Sequence, residues 1–98
     1  MMNVGIIFSY RLKGRTSRER TQFNRKFIGY TDKSQFGKYS YKREGLMSKI
    51  PHVHVLNSLF IIREDDLDEI ESFCRDLDVQ LFIRRVILEK SDIKELSL

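Results

Sequence analysis

The chain has no alanine and no tryptophan, and only one cysteine, one proline and five glycines in 98 residues. Each scarcity excludes something. A lone thiol, Cys74, cannot close an intramolecular disulfide, so the fold must rest on its own core, and a reducing compartment is expected. Without alanine, helices have to be built from Leu, Ile, Glu, Lys and Arg. Long apolar runs are also missing. The first, Val4 to Phe8, includes Gly5 and is too short for a signal-peptide core, and far below the roughly 20 residues of a membrane span. A cytoplasmic, soluble protein is therefore expected, with no membrane partner. What is present, 41% hydrophobic and 33% charged residues, is the balance of a folded domain rather than a disordered chain. A chain of this length buries about two-thirds of its unfolded surface, enough for one modest core, so residues 1–98 are expected to form a single domain.

Charge is distributed unevenly. Residues 1–50 hold twelve Lys or Arg against Glu19, Asp32 and Glu44, a net of +9. Residues 51–98 hold six basic and eleven acidic residues, a net of −5. Such a split creates a directional field rather than uniform solvation.

The periodicity alternates between strand and helix. Residues 3–13 place Val4, Ile6, Phe8, Tyr10 and Leu12 on one face and Gly5, Ile7, Ser9, Arg11 and Lys13 on the other, a strand with one buried and one increasingly basic face. After Gly14, Thr16 and Glu19 have the spacing of a capping box that opens a helix running to about Phe27 and stopping near Gly29. Residues 30–38 read as a loop, 38–43 as a short polar edge strand, and 45–51 as a connection. Residues 52–63 read as one central strand. Leu67, Ile70, Phe73, Cys74 and Leu77 form the apolar stripe of a second helix, capped by Asp65 or Asp66. Residues 79–88 read as the last strand, and Ser91 as the cap of a final turn that packs Ile93 and Leu96. The order β-α-β-β-α-β predicts an α+β, ferredoxin-like domain: a four-stranded antiparallel sheet with two helices on one face.

Three groups of residues invite a function. All four tyrosines lie in the first 41 residues, where Tyr10, Tyr30, Phe36, Tyr39 and Tyr41 alternate with Arg11, Lys13, Lys33, Lys38, Lys42 and Arg43. Rings of this kind stack on bases while the cations neutralise phosphates. The predicted first helix adds Arg15, Arg18, Arg25 and Lys26. Of these, Arg11, Lys13, Arg15, Arg18, Arg25, Lys26, Tyr30, Lys38, Tyr39, Tyr41, Lys42 and Arg43 are the twelve candidate nucleic-acid contacts, and the ordinary alternative for each is a solvated surface. The third group is Pro51-His52-Val53-His54-Val55, where two imidazoles at i and i+2 of a strand point the same way. It resembles the His-hydrophobic-His motif of HUH endonucleases, which implies a metal held by His52 and His54 and a tyrosine that nicks single-stranded DNA. The chain holds only these two His, and all four tyrosines precede the motif, so the resemblance could draw only on Tyr10, Tyr30, Tyr39 or Tyr41. The carboxylates Asp65, Asp66, Asp68 and Glu69 are explained by the start of a helix, and Cys74 by its apolar stripe.

The expectation is a nucleic-acid-binding module, with single-stranded RNA or DNA favoured over double-stranded and with no cofactor. An HUH-like phosphodiesterase is one alternative. A structural or regulatory subunit is the other, docking on a protein or forming a homodimer through an edge strand at 38–43 or 79–88.

Overall fold

The computed structural model describes residues 3–34 and 36–98. The chain divides into two compact units, one of Met1–Lys13 with Pro51–Leu98 and one of Gly14–Ile50.

The first unit is built on an antiparallel sheet of β1 (Val4–Arg11), β4 (His52–Leu56), β5 (Leu59–Arg63) and β6 (Gln80–Ile87), in the order β4-β5-β1-β6. The alternation in β1 sorts its side chains as the sequence predicts. Ile6 pairs with Ile62 and Phe8 with Phe60, and all four are buried. Phe8 and Phe60 stack at 5.4 Å between ring centroids. Helix α2 (Leu67–Asp76) buries Ile70 and Cys74 from its predicted stripe. Cys74 lines one shallow depression with Leu81 and Ile83, which lie across from Tyr10 and Phe8 and so share the Phe8 face of the sheet. A short helix α3 (Lys90–Glu95) ends the chain, and Leu96 just beyond it is buried.

The second unit holds α1 (Ser17–Phe27) and a two-stranded sheet of β2 (Gly29–Ser34) and β3 (Tyr39–Glu44). Thr16 caps α1 in the predicted capping box: its Oγ1 accepts from the Glu19 N–H at 3.1 Å, and Glu19 Oε1 accepts from the Thr16 N–H at 3.1 Å. Phe23 and Phe27 are buried and stack at 5.3 Å. A 3₁₀ turn, Leu46–Lys49, follows β3 and buries Met47.

Several expectations need correction. Residues 30–34 of the expected loop are a strand, because their backbone groups pair with 39–44; Gln35 lies outside the described residues. Residues 38–43 do form a strand, but it pairs with β2 in a sheet of its own and does not join the four-stranded sheet. The main sheet reaches four strands because residues 52–63 are two strands, not one, folded back at Asn57-Ser58 with Leu56 opposite Leu59. The fold is thus mixed α+β with a four-stranded antiparallel sheet, but it has six strands and three α-helices among the described residues.

Two expected caps also differ. Asp66 precedes α2 but makes no side-chain cap bond. A 3₁₀ turn, Glu64–Asp66, winds the backbone before the helix, and the Asp66 carboxylate accepts from Arg63 Nε at 2.8 Å instead. Glu89, not Ser91, is the N-cap of α3, and its N–H donates to Asp92 at 3.3 Å.

Candidate nucleic-acid interface

Ten of the twelve candidate contacts lie in the Gly14–Ile50 unit: Arg15, Arg18, Arg25, Lys26, Tyr30, Lys38, Tyr39, Tyr41, Lys42 and Arg43. Arg11 and Lys13 belong to the other unit. Ten Lys or Arg against three carboxylates give the Gly14–Ile50 unit a net +7, while eight against eleven leave the remainder at −3. Basic charge is therefore concentrated on a segment of 37 residues built from one helix and one hairpin.

On α1, the burial of Phe23 and Phe27 decides where the cations go. Arg18 and Arg25 are seven residues apart, two helical turns, and lie on the face opposite the two rings. Arg25 is exposed, and its guanidinium sits 4.5 Å from the centroid of Tyr30, a cation–π contact that ties the last helical turn to the first residues of β2. Arg20 Nε donates to the Arg15 carbonyl at 3.3 Å.

The hairpin does something that composition could not show. Opposite residues in an antiparallel pair share a face, and the register sets Tyr30 against Arg43, Asp32 against Tyr41 and Ser34 against Tyr39. The three tyrosines therefore line one face with Arg43. Thr31 opposite Lys42 and Lys33 opposite Ser40 put the lysines on the other. Tyr30, Tyr39 and Tyr41 are thus separated across the ribbon from Lys33 and Lys42, with which they interleave in sequence. Tyr39 and Tyr41 are 44% and 50% exposed, so each presents about half its surface to a ligand. Lys38 Nζ lies 5.8 Å from the Tyr39 ring and the Arg43 guanidinium 5.8 Å from the Tyr41 ring. Arg43 also reaches Asp32 at 3.4 Å; both partners are exposed, so this pair orients more than it stabilises.

The hairpin root is held by close backbone contact. A Cβ on Gly29 would lie 2.6 Å from the Arg43 carbonyl oxygen, and one on Gly45 would collide with the Gly29 nitrogen. Gly29 also has φ +97°, a conformation that glycine adopts without strain. Ser48 Oγ accepts from the Gly45 N–H at 3.0 Å and donates to the Ile28 carbonyl at 3.4 Å, joining the 3₁₀ turn to the end of α1.

In the sheet unit, Arg11 is exposed at the end of β1, opposite Gln80, and Lys13 follows in the turn before Gly14. Arg11 lines an open cleft of about 550 Å³ with Ser9, Tyr10, Ser58, Gln80, Leu81 and Phe82. Phe82 was not anticipated as a surface ring. It is 52% exposed, and Arg84 covers it at 4.2 Å. The alternation in VQLFIRRVIL carries the signal, since Phe82 and Arg84 fall on one face of β6, but a Phe in an apolar run reads first as core. Tyr10 is a packing ring: it stacks on Phe60 at 6.3 Å, and burial, then the nearby Cys74, push its phenol above the ordinary value of 10.0.

His52 and His54 share the face of Phe60. The His54 ring stacks on Phe60 at 4.3 Å, and His52 meets it edge-on at 5.6 Å. His54 Nε2 is 2.7 Å from the Asn57 carbonyl oxygen. Among the described residues no group of three or more His, Cys, Asp or Glu gathers where it could hold a metal. A raised phenol pKa also works against Tyr10 as a nucleophile. The imidazole pair, lacking a third donor there, does not fit the metal site that the HUH resemblance implies, and no step is built on it.

Cys74 and Glu64 have structural roles. Cys74 is fully buried and burial pushes its thiol up to about 11. Glu64 pairs with Arg85 at 3.2 Å. No helix among the described residues is long and apolar enough to cross a membrane. No family model, curated protein or solved structure matches the chain.

Proposed function

We propose that the protein is a small nucleic-acid-binding module that grips single-stranded RNA or DNA with its Gly14–Ile50 unit. The observation that carries this reading is the sorted hairpin: Tyr30, Tyr39 and Tyr41 on one face, Lys33 and Lys42 on the other, within a unit of net +7. Residues i and i+2 of a strand are about 6.8 Å apart, so Tyr39 and Tyr41 are spaced at roughly twice the 3.4 Å step of stacked bases. Rings so placed can each take a base, while Lys38, Lys42 and Arg43, with Arg15, Arg18, Arg25 and Lys26 of the helix segment, supply phosphate contacts. Arg11 and Lys13 are proposed as a separate anionic contact at the end of β1. A single buried thiol suits a reducing cytoplasm as the place of action.

Fluorescence anisotropy with RNA and DNA oligonucleotides over a salt series tests the proposal. Binding should weaken steeply with salt, and Arg18→Glu with Arg25→Glu should abolish it near physiological salt. Affinity that is flat with salt, or unchanged by the double charge reversal, refutes it.

We further propose that the sheet unit is ferredoxin-like, with the Gly14–Ile50 segment standing in sequence where such a chain has its first helix. The neighbour relations support this: β1 is central, β5 and β6 flank it, and β4 lies outermost beside β5. A second functional reading, self-association, is favoured by β6, an eight-residue edge strand with Phe82 and Ile87 exposed. Sedimentation at several concentrations distinguishes a dimer from a monomer.

A further inference from the structure

The tip of the β2–β3 hairpin carries the most exposed large apolar side chain among the described residues. Phe36 is 111% exposed, against 68% for Leu56, the next. Its backbone is unusual as well. Phe36 has φ +57° and Gly37 φ +83°, and the Gly37 N–H closes the turn on the Ser34 carbonyl at 3.2 Å. A left-handed conformation suits Gly or Asn; a bulky aromatic adopts it only at a cost. The turn therefore holds a residue that is unfavourable for its backbone and unfavourable for its solvation. Among the described residues nothing beyond its chain neighbours lies within 4 Å of a Cβ built on Gly37.

The surroundings of the tip say what would cover the ring. Residues 33–43 hold Lys33, Lys38, Lys42 and Arg43 and no carboxylate. The two half-exposed rings of Tyr39 and Tyr41 follow along the same ribbon. An apolar wedge between cations, on a two-stranded ribbon, is complementary to a polyanion that has flat apolar surfaces between its charges. A lipid surface supplies the charge but rewards a cluster of apolar side chains, and the tip offers only Phe36 among the described residues.

We propose that Phe36 is a base-stacking wedge: on binding, its ring inserts between neighbouring bases of the strand gripped by the hairpin. This rests on the nucleic-acid reading above and extends that site to the tip. It defines the ligand further as one whose bases are unpaired or easily unstacked, because only such bases accept an inserted ring at small cost.

The test is titration of a single-stranded oligonucleotide containing 2-aminopurine, whose emission reports stacking, with the wild type and with Phe36→Ala, Phe36→Leu and Phe36→Trp. Phe36 is exposed, so the variants should fold, which circular dichroism verifies. The wild type should change the emission on saturation. Phe36→Ala and Phe36→Leu should lose that change and bind about 5- to 150-fold more weakly, the range for loss of one stacked base. Phe36→Trp should keep both properties, and the salt slope should be the same throughout because no charge is altered. Salt-dependent binding by the wild type with equal affinity and emission for Phe36→Ala overturns the wedge and leaves the nucleic-acid reading intact. Absence of any salt-dependent binding by the wild type overturns both. Full retention by Phe36→Leu, or sedimentation with phosphatidylserine vesicles that is lost in Phe36→Ala, assigns the ring to a non-stacking apolar contact and also overturns the wedge.

Discussion

The two units of this chain solve opposite problems. The sheet unit interlocks its residues: Phe8, Phe60, Ile6 and Ile62 are buried across neighbouring strands, and even the two histidines pack on Phe60. The hairpin unit leaves every residue of β3 exposed and puts cations and rings on its surface. In one, side chains are used mainly for burial; in the other, the backbone carries the shape and the side chains stay available. On the proposed function, stability and recognition would fall to different stretches of sequence, and substitutions can test that division.

The largest effect should come from Phe60→Ala, which removes the ring that Phe8, Tyr10 and His54 all pack against. Urea unfolding should show a loss of about 3–5 kcal/mol; a loss below about 1 kcal/mol would contradict the assignment of the core. Gly45→Ala should cost on the order of 1–3 kcal/mol because its methyl group meets backbone atoms of Phe27, Ile28 and Gly29, which cannot rotate away. Hydrogen exchange should speed up at amides of β2 and β3 while β1 and β6 keep their protection. Uniform acceleration would show that the units do not respond separately.

The two faces of the hairpin can be separated in the same way. Tyr39→Ala with Tyr41→Ala should weaken binding at fixed salt by roughly 1–3 kcal/mol per lost stack, without changing the salt slope. Lys33→Ala with Lys42→Ala should lower that slope by about 2. Identical behaviour of the two pairs would mean that the sorting of rings and cations has no functional weight.

A smaller effect is expected at the start of α1. Thr16→Ala should cost about 1 kcal/mol of stability by removing the cap. The backbone N–H of Thr16, then its side chain, hold the Glu19 carboxyl below its ordinary value of 4.5. A lowered folded-state pKa stabilises above 4.5, and the contribution disappears as pH falls through the folded value. Acid unfolding of Glu19→Gln should lose this part of the pH dependence, whereas Thr16→Ala, which keeps the backbone N–H, should lose only the smaller side-chain share. Least of all should happen at Cys74: with the thiol pushed up to about 11 and fully buried, the native protein should not react with a disulfide reagent at pH 8 until it unfolds.

The legible parts of the fold were those where one pattern dominated. Ile6 and Phe8 declared the buried face of β1, Thr16 and Glu19 the start of α1, and Ile70 and Cys74 the inner stripe of α2. The break at Asn57-Ser58 was not legible because HVHVL and LFIIR are both strand-like and the turn between them contains no Gly, Pro or Asp. Strand β2 was hidden for the opposite reason. Asp32 and Ser34 are turn formers, and the strand exists through its partner rather than through burial. The candidate residues could be named from composition, but their division into a tyrosine face and a lysine face follows from the register of β2 on β3. Phe82 escaped notice because an aromatic in an apolar run gives no sign of which face remains open.

The contact between Gly29 and Gly45 has an evolutionary consequence. A methyl group at either position collides with main-chain atoms, so no choice of neighbouring side chains can make room for it. Surface lysines can drift among basic residues and core positions among apolar ones, but a descendant that keeps this hairpin on this helix should keep glycine at both places. Two glycines sixteen residues apart, the first just after a helix bearing a Thr-x-x-Glu start, form a fingerprint by which distant kin of this chain could be recognised after the rest of the resemblance has faded.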